Sequence, residues 1–155
     1  MGTRDTDAGE LGALIPWPDD EHFPNIPAED ALELFMGWCE SRKLELWPHQ
    51  EEALLDLATG DHLILGTPTG SGKSLVALGL CFMACCTDRR SYYTAPIKAL
   101  VSEKFFDMVR LLGRDNVGPH SAFSPQWRPD RPDSIFSGIS CCRQIHKPAA
   151  HRSGC

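Results

Sequence analysis

The 155 residues predict an α/β fold: parallel strands with flanking helices. Three observations carry that prediction. A short apolar run, HLIL at 62–65, is followed by a glycine-rich turn and then by an apolar stretch of helical length. A second β-rich run, SYYTA at 91–95, is followed by an amphipathic helical stripe. Strand, helix, strand, helix in that order makes parallel strands the default.

Each element has its own reason. Residues 1–27 place Pro16, Pro18, Pro24 and Pro27 among acidic residues, which predicts an extended arm. In the next segment Leu32, Phe35, Met36 and Cys39 fall at i, i+3, i+4 and i+7, one face of a helix. Gln50, Ala53, Leu54 and Leu57 repeat the pattern, and Gly60 stands where a helix would stop. The run 62–65 reads as a buried strand. Residues 74–86 are apolar all round, as in a helix covered on most sides. Pro96 ends the second strand. Ile97, Leu100, Val101, Phe105, Met108, Val109 and Leu112 then mark a helical stripe that Gly113 closes.

Totals exclude several classes. The net charge of −6 does not suggest a nucleic-acid-coating protein, although a local basic groove can sit on an acidic body. The apolar run that begins at Leu75 is too short to span a bilayer. The chain does not open on a secretory signal pattern. Met1-Gly2 with Thr6 matches a myristoylation pattern, but Asp5 and Asp7 flank it and no basic patch supports it, so it reads as chance. Seven scattered cysteines, an odd number, argue against a disulfide framework and for a reducing, cytoplasmic setting.

The stretch TPTGSGKS, 67–74, lies between an apolar strand and an apolar helix. It fits the phosphate-binding loop, with Thr67 in the first position, where Gly or Ala is usual. Gly70 and Gly72 let the backbone curl so that successive N–H groups point at phosphate oxygens. The following helix adds its positive end. Lys73 supplies a mobile charge for the β and γ phosphates. Ser74 offers a hydroxyl to Mg²⁺. ATP and Mg²⁺ are the cofactors this implies, with Thr67, Pro68, Thr69, Gly70, Ser71, Gly72, Lys73 and Ser74 as the cradle.

At this point the chain resembles the superfamily-two DEAD/DEAH-box helicases, Ski-type in particular, over roughly residues 28–118. TPTGSGKS is similar to their motif I. LWPHQEEAL, 46–54, resembles the segment whose glutamine reads adenine; Gln50 is the match, 17 residues before Thr67. An amide carries donor and acceptor together, which suits adenine N6 and N7. YYTAPIKALVSEKF, 92–105, resembles motif Ia, where a helix start and a lysine hold phosphates of the bound strand. The resemblance implies that Pro96, Ile97 and Lys98 line a nucleic-acid track, with Lys104 a weaker candidate. It further implies a RecA-like α/β domain that is incomplete, because the Asp-Glu pair for metal and water at the end of a later strand is not found: Asp115-Asn116, Asp130 and Asp133-Ser134 neither follow an apolar strand nor precede a Glu. The Ser-Ala-Thr motif and second RecA-like domain are missing as well. The expectation is therefore a nucleotide- and nucleic-acid-binding part of a helicase, with little or no hydrolysis by this chain alone. Strands 62–65 and 91–95 would also lack pairing partners. A small-molecule kinase or a P-loop nucleotide sensor is the alternative, but APIKAL would then go unexplained.

After Gly118 the texture changes. Residues 1–118 carry a net −9 and residues 119–155 a net +3, with five prolines, three cysteines and three histidines in the latter. This stretch shows neither helix nor strand periodicity and predicts an irregular, disordered tail. It looks like an out-of-frame reading of a GC-rich gene, and reading the other two frames downstream tests that: absence of an Asp-Glu pair in both defeats it. Cys141, Cys142, His146, His151 and Cys155 form a C-C-x3-H-x4-H-x3-C pattern. Adjacent cysteines seldom serve one zinc ion, so this pattern is a poor metal site.

Overall fold

The structure, a computed structural model, describes residues 9–18, 22, 24–68, 70–95, 97–121 and 137–141. Among the described residues four helices form where the sequence predicts them, α3 from its apolar run and the others from their periodicity. Helix α1, Ala28–Ser41, follows Pro27 and carries Glu29 and Asp30 in its first turn, where they oppose the positive helix end. Its inward face is Ala31, Leu32, Phe35, Trp38 and Cys39. Helix α2, Pro48–Thr59, starts on a proline, whose missing N–H costs nothing there, and ends at Gly60 with φ 92°. Helix α3, Lys73–Cys86, buries Val76, Leu78, Gly79 and every residue of 81–86. Helix α4, Lys98–Leu112, ends at Gly113.

Helices α1, α2 and α3 pack on one another around Phe35, Leu54 and Phe82, all fully buried. Phe35 stacks on Trp38 at 5.9 Å between ring centroids and meets Phe82 at 6.1 Å. Gly79 marks the crossing: a Cβ there would stand 2.6 Å from Leu54 Cδ2 and 2.9 Å from Phe35 Cε1. Of the α4 stripe, Val101, Met108 and Leu112 are buried, whereas Ile97 and Leu100 are 55% and 45% exposed.

Strands depart from expectation. Residues 62–65 are not a strand. Leu63 and Leu65 pack on the core, but Ile64 is 95% exposed. The alternation of a strand is present without a neighbour among the described residues to complete it, and a ladder needs two partners. The sheet consists of β1, Ser91–Ala95, β2, Val117–Ser121, and β3, Ser137–Cys141, in the order β1-β3-β2. Both pairings are antiparallel, with Tyr93 and Pro119 opposite Ile139 from either side. This corrects the parallel sheet. Two antiparallel pairings through β3 leave β1 and β2 pointing the same way, as a crossover through α4 requires. The inserted strand β3 is what makes each ladder antiparallel. Pro119 is tolerated because β2 is an edge strand.

Two further expectations are corrected. The tail was expected to be without regular structure, yet β3 and the end of β2 come from it. Their pairing is between backbones, and side-chain periodicity does not report it. Residues 122–136 and 142–155, with Cys142, His146, His151 and Cys155, lie outside the described residues. The arm is not extended throughout: Gly12–Leu14 forms a 3-10 turn that buries Leu11 and Ile15. Proline spacing does not reveal those anchors. Among the described residues no helix is long and apolar enough to cross a membrane.

Candidate phosphate loop and strand-binding edge

The loop before α3 is curled. Gly70 has φ +88° and Gly72, the N-cap of α3, has φ +78°. Both values are natural for residues without a Cβ and strained for others. Ser71 N–H donates to Pro68 O at 3.3 Å, and Leu75 N–H donates to Gly72 O at 2.9 Å, starting the helix. Ser71 Oγ and Thr67 Oγ1 bond across the loop at 2.7 Å. Thr69 lies outside the described residues.

The start of α3 suits an anion. Its N-cap, Gly72, has no side chain to cap it, and its first turn holds no acid. Helices α1 and α2, by contrast, carry acids in their first turns. The N–H groups and positive end of α3 thus meet no negative charge from the helix's own first turn. Lys73 is exposed and its ammonium donates to Thr67 O and, at 3.5 Å, to Pro68 O. Ser74 is exposed beside it. The donor set fits a phosphate with a magnesium ion: backbone N–H groups, one ammonium and one hydroxyl.

Gln50 is brought to the loop, but not as an open reader. It is 2% exposed. Its Oε1 accepts from Trp47 N–H at 2.8 Å, and its Nε2 donates to Ser71 O at 3.3 Å and Gly72 O at 3.0 Å. A Cβ on Gly72 would overlap that nitrogen. His49, which sequence reasoning passed over, also reaches the loop, with Nε2 3.2 Å from Ser71 O. Neighbouring helical positions point about 100° apart, and nothing in the sequence says that both would meet one loop.

The strand-binding candidates lie where β1 turns into α4. Ile97 is the exposed N-cap of α4, and Lys98 is its first residue. Pro96 is outside the described residues. This helix also lacks a side-chain cap and first-turn acids. Lys104 lies a turn and a half further on and pairs with Asp107 at 3.5 Å and Glu103 at 4.0 Å, so it is the less available cation.

These features define a class, an α/β protein with a glycine-rich loop of the phosphate-binding pattern at a helix start. Residues 47–132, more than half of the chain, match the DEAD/DEAH box helicase family, and the chain belongs to that family. The match begins at Trp47 and runs past Gly118, later at both ends than the motifs alone suggest. Among curated proteins, it is 36% identical over 69 residues to the chloroplastic DExH-box ATP-dependent RNA helicase DExH15 of Arabidopsis thaliana, covering 44% of this chain and 6% of that protein. It is 34% identical over 94 residues to the antiviral helicase SKI2 of Saccharomyces cerevisiae, covering 61% and 7%. It is 29% identical over 79 residues to the ATP-dependent DNA helicase Hel308 of Thermoplasma volcanium, covering 51% and 12%. The matched segment thus spans only 6–12% of the length of these relatives. No solved structure matches.

Proposed function

We propose that this chain forms the nucleotide-binding front of a RecA-like helicase domain. The observation that carries this reading is the curled glycine loop at the uncapped start of α3, with Lys73 at its mouth. Gly70, Ser71, Gly72 and the first N–H groups of α3 hold phosphate oxygens, with Thr67 and Pro68 forming the loop wall. Lys73 exchanges two carbonyl acceptors for anionic oxygens, which bind an ammonium more strongly. Ser74 is the protein's ligand for Mg²⁺, which when bound screens the phosphate charge. Gln50 Oε1 already accepts from Trp47 N–H, so reading adenine would require this buried amide to open toward the base. Donation to the base would require its amide to leave a loop carbonyl.

Pro96, Ile97 and Lys98 form the nucleic-acid edge, and Lys104 contributes once released from its acids. The relatives act on RNA or DNA by their names, and both remain open substrates for this chain. Because the sequence lacks an Asp-Glu pair after an apolar strand, binding is expected without appreciable turnover.

A fluorescent ATP analogue titrated with Mg²⁺ tests the reading. Weak binding that Lys73→Ala removes supports it. Equal affinity in Lys73→Ala overturns it. Strand-stimulated turnover would instead show a working hydrolase, and phosphoryl transfer to a small acceptor a kinase.

A further inference from the structure

The geometry points to His49 as a positioning residue for the phosphate loop, a role that deepens the nucleotide-binding reading above. A loop whose N–H groups converge on an anion must turn its carbonyls outward. Outward carbonyls need donors, and here two consecutive ones receive them from two consecutive side chains. His49 Nε2 lies 3.2 Å from Ser71 O, and Gln50 Nε2 lies 3.3 Å from the same oxygen and 3.0 Å from Gly72 O. A carbonyl only accepts, so His49 presents its proton on Nε2.

The first turn of α2 is held for this task. Pro48 starts the helix, and Trp47 N–H bonds the Gln50 side chain at 2.8 Å. The two donors are not equivalent. Gln50 divides one nitrogen between two carbonyls, whereas His49 gives its ring N–H to Ser71 O alone among the bonds described. The peptide between Ser71 and Gly72 sits in a stretch with glycines on two of its corners, at φ +88° and +78°. Glycines do not resist rotation of that peptide, so the carbonyl donors must. Without His49, Ser71 O keeps, of the bonds described, the longer, shared contact, and the loop N–H groups lose a restraint on where they aim.

Amide hydrogen exchange on the free, full chain tests this without nucleotide. His49→Leu should speed exchange of peptides covering 67–74 by about three- to tenfold, the range one net hydrogen bond carries. His49→Gln, which retains an amide donor, should restore most of the protection. Peptides from the distant half of α2 should not change in either variant. Unchanged loop exchange in His49→Leu overturns the assignment, as does a His49→Gln chain that exchanges like His49→Leu. Should His49→Leu lose its thermal transition, His49→Gln still decides: wild-type loop protection supports the role and faster loop exchange overturns it. A wild-type chain that ignores Mg-ATP would overturn the nucleotide reading instead, while the exchange ratios still decide the role of His49.

Discussion

An alanine at Gly72 would face two penalties at once. Its φ of +78° disfavours a Cβ, and that Cβ would overlap the Gln50 amide. We expect Gly72→Ala to cost about 1–3 kcal/mol of stability and to weaken ATP binding, measured by urea unfolding beside the nucleotide titration. The curl at Gly70 and Gly72 and the place of Lys73 at the start of α3 were legible in the sequence because they are tied to residue type and spacing. His49 was not, because its role depends on a contact 22 positions away in the chain. Burial also leaves a pH signature. It pushes the Cys39 thiol up to about 11 and the Cys86 thiol up to about 12, from an ordinary 9.0. Each folded value lies above the unfolded one, so the folded chain holds these protons more tightly. Their stabilisation is fully present below about pH 9 and is lost as pH rises through about 11 and 12. The urea midpoint should fall on the alkaline side of pH 9, and the fall should be shallower in Cys86→Ala.

Helices and strands differ in how much of their identity is local. The four described helices follow from periodicity, an apolar run of helical length in α3, prolines and stop glycines, since helical hydrogen bonds close within the segment. A strand is completed by its neighbour, so the run 62–65 and the tail could not be judged by themselves. The apolar content of 62–65 predicted a strand. The composition of the tail predicted none, and yet β3 is the strand that pairs with both others. Ile64 separates the two views most sharply. In a buried strand its loss would cost as much as a core residue, but at 95% exposure it contributes little. Ile64→Ser should change stability by no more than about 0.5 kcal/mol, as exposed positions do. Leu54→Ala, at a fully buried site between α2 and α3, should cost about 2–5 kcal/mol. Urea unfolding of the two variants measures both, and comparable losses would mean that 62–65 is buried after all.

At the scale of the molecule, the N-terminal arm links elements that are distant in sequence. Leu11 N–H donates to Leu111 O at 2.8 Å, at the end of α4, and Ile26 N–H donates to Cys86 O at 3.0 Å, at the end of α3. Asn25 forms a bridge with Thr87, and Glu10 pairs with Arg42 at 2.5 Å just past α1. That ion pair is half-exposed on both sides and contributes little. The apolar anchors matter more. Leu11 and Ile15 are 0% and 4% exposed, and burying such side chains is worth about 1.5–3 kcal/mol each. Gly12 sets how close the arm can lie, because a Cβ there would overlap Leu112 O, a backbone atom that cannot move aside. Gly12→Ala should therefore lift the arm and lower stability by an amount comparable to Leu11→Ala, about 2–5 kcal/mol. Combining the two substitutions should cost much less than the sum of their separate effects, since one detachment removes what both protect. Full additivity in a double-mutant cycle would show that the arm does not act as one strap across the ends of α3 and α4.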